Sequence, residues 1–107
     1  MPTDQELQGM TQRIVAAASP AVKVILFGSY GRGDADDGSD IDLLVIEPEI
    51  DDMAEGYLRL RKAVGRMGVG VDLLLCTQRD FNRRSQVRGT VYYWAKNTGR
   101  VLYDASA

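Results

Sequence analysis

Phe27-Gly28-Ser29-Tyr30-Gly31-Arg32-Gly33-Asp34-Ala35-Asp36-Asp37-Gly38-Ser39-Asp40-Ile41-Asp42-Leu43-Leu44 is the stretch that decides how this chain folds. It joins two short apolar runs, Val22–Phe27 and Ile41–Ile46, which read as strands, the first buried on both faces. Between them the chain changes character. Gly28, Gly31 and Gly33 let the backbone approach a ligand closely and adopt positive φ. Ser29 follows the first strand directly and opens a helical turn, whose N–H groups suit phosphate oxygens. Five acids then fall within nine residues, from Asp34 to Asp42. Asp40 and Asp42 sit two apart at the start of the second strand. Strand side chains alternate, so both carboxylates point to one side. Neighbouring like charges repel unless a cation lies between them. Mg²⁺ is the natural candidate, since it takes hard oxygen ligands from a few carboxylates and from substrate phosphates.

Three other phosphate or cation motifs fail on spacing. A dinucleotide-binding loop needs G-x-G-x-x-G, whereas this loop runs G-x-x-G-x-G. A P-loop needs Gly-Lys followed by Ser or Thr, and the stretch has no lysine. A calcium loop starting at Asp34 needs glycine at its sixth position and glutamate at its twelfth, where Ser39 and Val45 stand. A third carboxylate is expected from Asp72, which interrupts the apolar run Val71-Asp72-Leu73-Leu74-Leu75. A carboxylate within a buried strand is costly without a cation or a basic partner. The pattern therefore places this strand beside the one carrying Asp40 and Asp42. A buried arginine opposite Asp72 is the other way to satisfy it.

Working outward, Thr3 to Ser19 reads as a helix. Thr3 and Glu6 form a capping box, Leu7, Met10 and Ile14 recur at helical spacing, and Pro20 ends it. Asp51 to Met67 reads as a second helix, with Met53, Tyr57, Leu60, Val64 and Met67 on one face and Gly68 as its cap. Val69 to Cys76 is a third strand. Thr77 with Asp80 caps a short helical turn. Gln86 to Thr98 reads as the last helix, with Val87, Val91, Trp94 and Thr98 along one stripe. Val101-Leu102-Tyr103 is a short edge strand. The order α-β-β-α-β-α-β gives an α/β (α+β) sandwich, a small mixed sheet with helices packed on it. Residues 1–107 are expected to form a single domain.

Composition narrows the function. A net charge of −2 argues against a protein whose main task is coating nucleic acid. The chain has no histidine, which removes histidine bases, triads and metal sites. Its one cysteine, Cys76, sits in an apolar run and reads as a buried small hydrophobe. The N-terminus lacks the basic and apolar regions of a signal peptide, and no apolar run approaches a membrane span. A cytoplasmic protein is expected. Arg79, Arg83, Arg84 and Arg88 read as a solvated helix face, or as a surface for an acidic partner or RNA. Tyr92, Tyr93 and Trp94 read mostly as core, but they cannot all face inward from one helix, and one or more of them as a partner anchor is the other reading.

On these residues the chain resembles the nucleotidyltransferase superfamily related to DNA polymerase β. The match is Gly28-Ser29, ten residues, then Asp40-Ile41-Asp42, with the later strand carboxylate Asp72. With no second substrate domain expected, the chain is similar to the minimal nucleotidyltransferase (MNT) antitoxins of HEPN/MNT toxin–antitoxin pairs. The resemblance implies Gly28 and Ser29 on the triphosphate and Arg32 on phosphate. It implies Asp40 and Asp42 on two Mg²⁺ ions, and Asp72 on the catalytic ion, where it helps deprotonate the acceptor hydroxyl. It further implies ATP as substrate and adenylylation of a tyrosine on a HEPN-family RNase toxin, with which the chain would form a hetero-oligomer. Neutralising the toxin by contact alone, or modifying a small molecule such as an aminoglycoside, are the alternatives.

Overall fold

The computed structural model describes residues 1–20 and 22–106. The elements run α1 (Asp4–Ala17), β1 (Lys23–Phe27), α2 (Gly28–Arg32), β2 (Ile41–Glu47), α3 (Met53–Val64), β3 (Val71–Thr77), α4 (Gln78–Arg84), α5 (Val91–Thr98) and β4 (Arg100–Asp104). The sheet order is β3-β2-β1-β4. β1 runs antiparallel to both β2 and β4, while β2 and β3 run parallel. This is the expected mixed sheet with helices packed on it.

Local chemistry sets the helix starts. Thr3 Oγ1 accepts from the Glu6 N–H at 3.1 Å and Glu6 returns the bond to the Thr3 N–H at 3.0 Å, completing the predicted box. Asp52, Thr77 and Thr90 cap α3, α4 and α5, each side chain accepting one backbone N–H without a returning bond. Thr90 also corrects the last helix, which begins at Val91 and not at Gln86. Gly89 lies at φ +92°, a conformation that breaks any helix running through it. Likewise α3 stops at Val64, because Gly65 takes φ +70° before Gly68 is reached.

Parity along the strands divides the core in two. Ile41, Leu43 and Val45 join Val24, Leu26 and the helices α1 and α3 on one face. Leu44 and Ile46 join Ile25, Phe27, Cys76, Phe81 and Ala95 on the face of α4 and α5. β1 and β2 are central and buried on both sides, whereas β3 and β4 are edges. The predicted stripe Val87, Val91 and Trp94 turns outward. These residues are about half exposed, because Ala95 supplies the close contact with β1. Met53 and Tyr57 on α3 are likewise outside the core, where Gly56, Leu60 and Val64 are buried.

Candidate active site

The five acids of the loop separate by what each one binds. Asp34 pairs with Arg32 at 3.3 Å. Asp36 accepts from the Gly38 N–H at 2.9 Å and from the Ser39 hydroxyl at 3.1 Å, so it serves the turn it stands in. Asp37 pairs with the chain's amino terminus at 3.4 Å. Among the described residues neither Asp40 nor Asp42 pairs with a base.

Asp40 stands one residue before β2 and Asp42 is its second residue. Parallel pairing of β2 with β3 sets Asp42 directly beside Asp72. Residues in register share a face, so both carboxylates stand on the side of α4 and α5, at the β2 end where α2 begins. Asp72 is exposed, which corrects the expectation of a carboxylate enclosed by its strand: β3 is an edge. Among the described residues no arginine pairs with it, which removes the alternative of a buried ion pair.

Two glycines make this arrangement possible. A Cβ on Gly28, which lies at φ +66°, would collide with the Asp42 carboxylate. A Cβ on Gly70 would fall 2.6 Å from Asp40 Oδ1. The Gly70 carbonyl accepts from the Ile41 N–H at 2.9 Å and so locks the approach of Asp40 to the start of β3. Gly28 is legible in the sequence through its motif. Gly70 is not: the sequence places it inside a strand over Val69–Cys76, whereas β3 begins at Val71 and leaves Gly70 just ahead of it.

The Asp42 carboxyl is held above the ordinary carboxylate range. Partial burial is the main cause, followed by the charge of Asp72 and a hydrogen bond to it, then the charge of Asp40; Arg32 pulls weakly the other way. Ser29 is the second residue of α2 and half-buried. The N-cap position is Phe27 with no side-chain bond, so Ser29 does not cap this helix. Arg32 is exposed at the end of the same short helix.

Among the described residues no three His, Cys, Asp or Glu side chains already close around one point in the manner of a metal cage. The donor set still fits Mg²⁺. It is oxygen-only, two of its carboxylates are backed by glycines, and the like charges of Asp72 and Asp40, which add to the effect of burial on Asp42, are what a divalent cation relieves. A cavity of about 620 Å³ between α1 and β4, lined in part by Gln8, Thr11 and Leu102, includes none of the three carboxylates.

Residues 11–93 match the nucleotidyltransferase domain family. The chain belongs to this family. Two relatives come from Methanocaldococcus jannaschii, both provisionally named protein adenylyltransferases. MJ0141 is 40% identical over 53 residues, covering 50% of this chain and 52% of the relative. MJ0604 is 32% identical over 82 residues, covering 76% and 77%. The chain thus spans about half the length of the first relative and three quarters of the second. In solved structures the fold recurs in a toxin–antitoxin crystal structure with AMP-PNP, at TM-score 0.62 and 21% identity over 91% of this chain and 73% of that one. It recurs also in a Sulfolobus solfataricus protein provisionally described as a nucleotidyltransferase, at TM-score 0.63 and 18% identity over 94% and 78%. At those identities the two structures speak for the nucleotidyltransferase fold alone. Among the described residues no helix is long and apolar enough to cross a membrane.

Proposed function

We propose that this nucleotidyltransferase domain transfers AMP from ATP to a tyrosine hydroxyl on a partner toxin of the HEPN family, and so acts as the toxin's antitoxin. The observation that carries the reading is the side-by-side register of Asp42 and Asp72, with Asp40 next to it and, among the described residues, none of the three paired with a base. The names of the two M. jannaschii relatives and the toxin–antitoxin context of one structural neighbour support the choice of acceptor.

In this reading Asp40, Asp42 and Asp72 hold two Mg²⁺ ions, which when bound neutralise charge on the triphosphate and acidify the acceptor hydroxyl. The chain's own groups do the rest. Gly28 and Ser29 hold the triphosphate through backbone N–H groups and the Ser29 hydroxyl, and Arg32 reaches a phosphate oxygen. Asp72, on the exposed edge strand, faces the incoming hydroxyl and helps remove its proton. The acceptor oxygen bonds to the α-phosphorus as the bond to pyrophosphate breaks, with the two oxygens in line. The domain contributes position and charge more than covalent chemistry. We read residues 1–107 as one domain working in the cytoplasm, with a protein rather than nucleic acid as its main partner.

The test is incubation of the folded pair with Mg²⁺ and ATP labelled at the α-phosphate. Label should move to a tyrosine of the partner, and Asp40→Asn or Asp42→Asn should lower the rate by at least about 10³-fold, since each removes a charged ligand. A correctly folded pair that transfers no label overturns the reading. A second reading, neutralisation by contact, draws on the exposed Val87, Val91 and Trp94. It predicts that the Asp40→Asn, Asp42→Asn double variant still blocks the toxin completely.

A further inference from the structure

The end of β2 away from Asp42 carries a second concentration of acid. Glu47 closes the strand, five residues from Asp42. That is about 16 Å at strand spacing, and the odd separation turns it to the opposite face of the sheet. There the end of α1, the β2–α3 loop and the first turns of α3 enclose a groove of about 330 Å³. Its charged lining is Glu47, Glu49, Asp51, Asp52, Glu55 and Arg59, five carboxylates against one guanidinium.

Three of these groups are already engaged. Asp52 Oδ1 accepts from the Glu55 N–H at 3.1 Å, capping α3. Arg59 donates to Glu55 at 2.8 Å and to the Ala17 carbonyl at 2.9 Å. Glu47 is not engaged. It is only 4% exposed, and its Oε1 has no hydrogen-bond partner among the described residues. A buried carboxylate oxygen without a donor is costly in general, and native folds rarely leave one so. A carboxylate in this setting awaits a cation that brings its own donors.

The shape of the groove favours a molecular cation over a bare metal ion. The space exceeds by an order of magnitude the ~30 Å³ share of a water-sized occupant. An alkylammonium or guanidinium group fits. Its N–H donors reach Glu47, its charge answers Glu49 and Asp51 at the rim, and its carbon stem lies along Ile50 and Gly56. We propose that this groove is a binding site for an alkylammonium or guanidinium group, with buried Glu47 as its anchor. The group comes either from a free amine or from a lysine or arginine of another protein. The site stands apart from the nucleotidyl-transfer residues in both face and position.

Titration of the ¹⁵N-labelled full chain with putrescine and with N-acetyl-argininamide tests this. Either probe should give saturable amide shifts at Ala17–Ser19 and Ile50–Gly56. Saturation by putrescine points to a free amine, and by the blocked arginine alone to a protein side chain. Glu47→Gln should weaken the binding at least about tenfold, the scale of one charge-assisted hydrogen bond. Glu49→Gln with Asp51→Asn, which alters only exposed positions and keeps the core, should weaken it several-fold. Four results overturn the proposal. These are no saturation by either probe, unchanged affinity in Glu47→Gln, equal binding of tetramethylammonium (charged but without N–H donors), or tight saturation of the same amides by Ca²⁺ or Mg²⁺ alone.

Discussion

Gly70→Ala separates the position of Asp40 from the stability of the fold. The added Cβ would lie 2.6 Å from Asp40 Oδ1, 3.0 Å from its Cγ and 3.3 Å from Oδ2. Restoring ordinary contact at 3.4 Å moves the nearer oxygen by about 0.8 Å. The carboxylate is the free end of its side chain and can rotate away, so the displacement costs little folding energy. Gly70 does not have positive φ, which makes alanine sterically acceptable for the backbone and even slightly favourable, by about 0.4–1 kcal/mol through the unfolded state. The Ile41 N–H to Gly70 carbonyl bond is also retained, since it uses backbone only. Function is affected differently. A misplacement near 1 Å at a reacting centre costs about 10²-fold in rate, or ~2.7 kcal/mol in the barrier. The expectation is a Tm within a few degrees of the parent and a transfer rate lower by about two orders of magnitude. Gly38→Ala is the control. It lies two residues ahead of Asp40 in the α2–β2 loop and its Cβ would sit at an ordinary 3.5 Å from Asp36 Oδ1, so it should change neither quantity. The assay is transfer of α-labelled AMP to the partner, with Mg²⁺·ATP affinity by calorimetry and Tm by circular dichroism. A Gly70→Ala protein with the parent's rate would refute the claim that Gly70 holds Asp40 in place. So would a loss of rate that merely follows loss of fold.

Gly28→Ala should behave differently, losing transfer and also about 1–2 kcal/mol of stability, because φ +66° disfavours any Cβ and this one meets Asp42; chemical denaturation measures it. Asp42→Asn should abolish transfer yet leave the metal-free protein at neutral pH at least as stable as the parent. The sign follows from the raised carboxyl: the folded state holds this proton more tightly than the unfolded chain. Stability is therefore lost as pH rises from the ordinary carboxylate value through the raised one, and asparagine removes that loss. A pH series of melting curves on both proteins, without divalent ions, reads the difference, and a lower Tm for Asp42→Asn throughout would contradict it. Burial pushes the Cys76 thiol up to about 12, so it stays protonated at neutral pH and should react with disulfide reagents only as fast as the fold opens.

How much of this was legible in the sequence depends on whether the signal was local. The Thr3–Glu6 box, the apolar runs of β1 and β2 and the Thr77 cap are short-range patterns, and each appears where the pattern puts it. The pairing of Asp72 with Asp42 was legible too, because an acid within an apolar run needs a reason, and a neighbouring acid with a shared cation supplies one. What the sequence did not carry is set by tertiary partners. Asp72 is exposed because β3 is an edge of the sheet. Val87, Val91 and Trp94 fit a helical stripe, yet Gly89 breaks that helix and Ala95 makes the core contact instead. Of the acids between Asp34 and Asp42, composition alone could not tell the two without an ion-pair partner among the described residues from the three spent on Arg32, the Asp36 turn and the amino terminus.

The site's chemistry and its incompleteness have one origin. Asp40, Asp42 and Asp72 come together where parallel strands β2 and β3 start, beside the loop that leaves β1. A parallel pair must be joined by a crossover, here α3, which covers the opposite face and leaves the acid face open at that end. Asp34, Asp36 and Asp37 of the connecting loop are bonded to Arg32, to the loop itself and to Met1. An open acidic edge can take a nucleotide through its phosphates, but it offers few walls with which to orient a small acceptor. An acceptor that arrives on a folded partner needs no such walls, because docking elsewhere supplies the orientation. The half-exposed Val91 and Trp94 on α5 stand on the same side of the sheet as Asp42 and Asp72. Trp94→Ala should then raise the KM for a protein acceptor at least tenfold, while leaving Mg²⁺·ATP affinity and kcat near the parent's. An unchanged KM would move the docking surface elsewhere, and an equal fall in kcat would make Trp94 a structural residue of α5 instead.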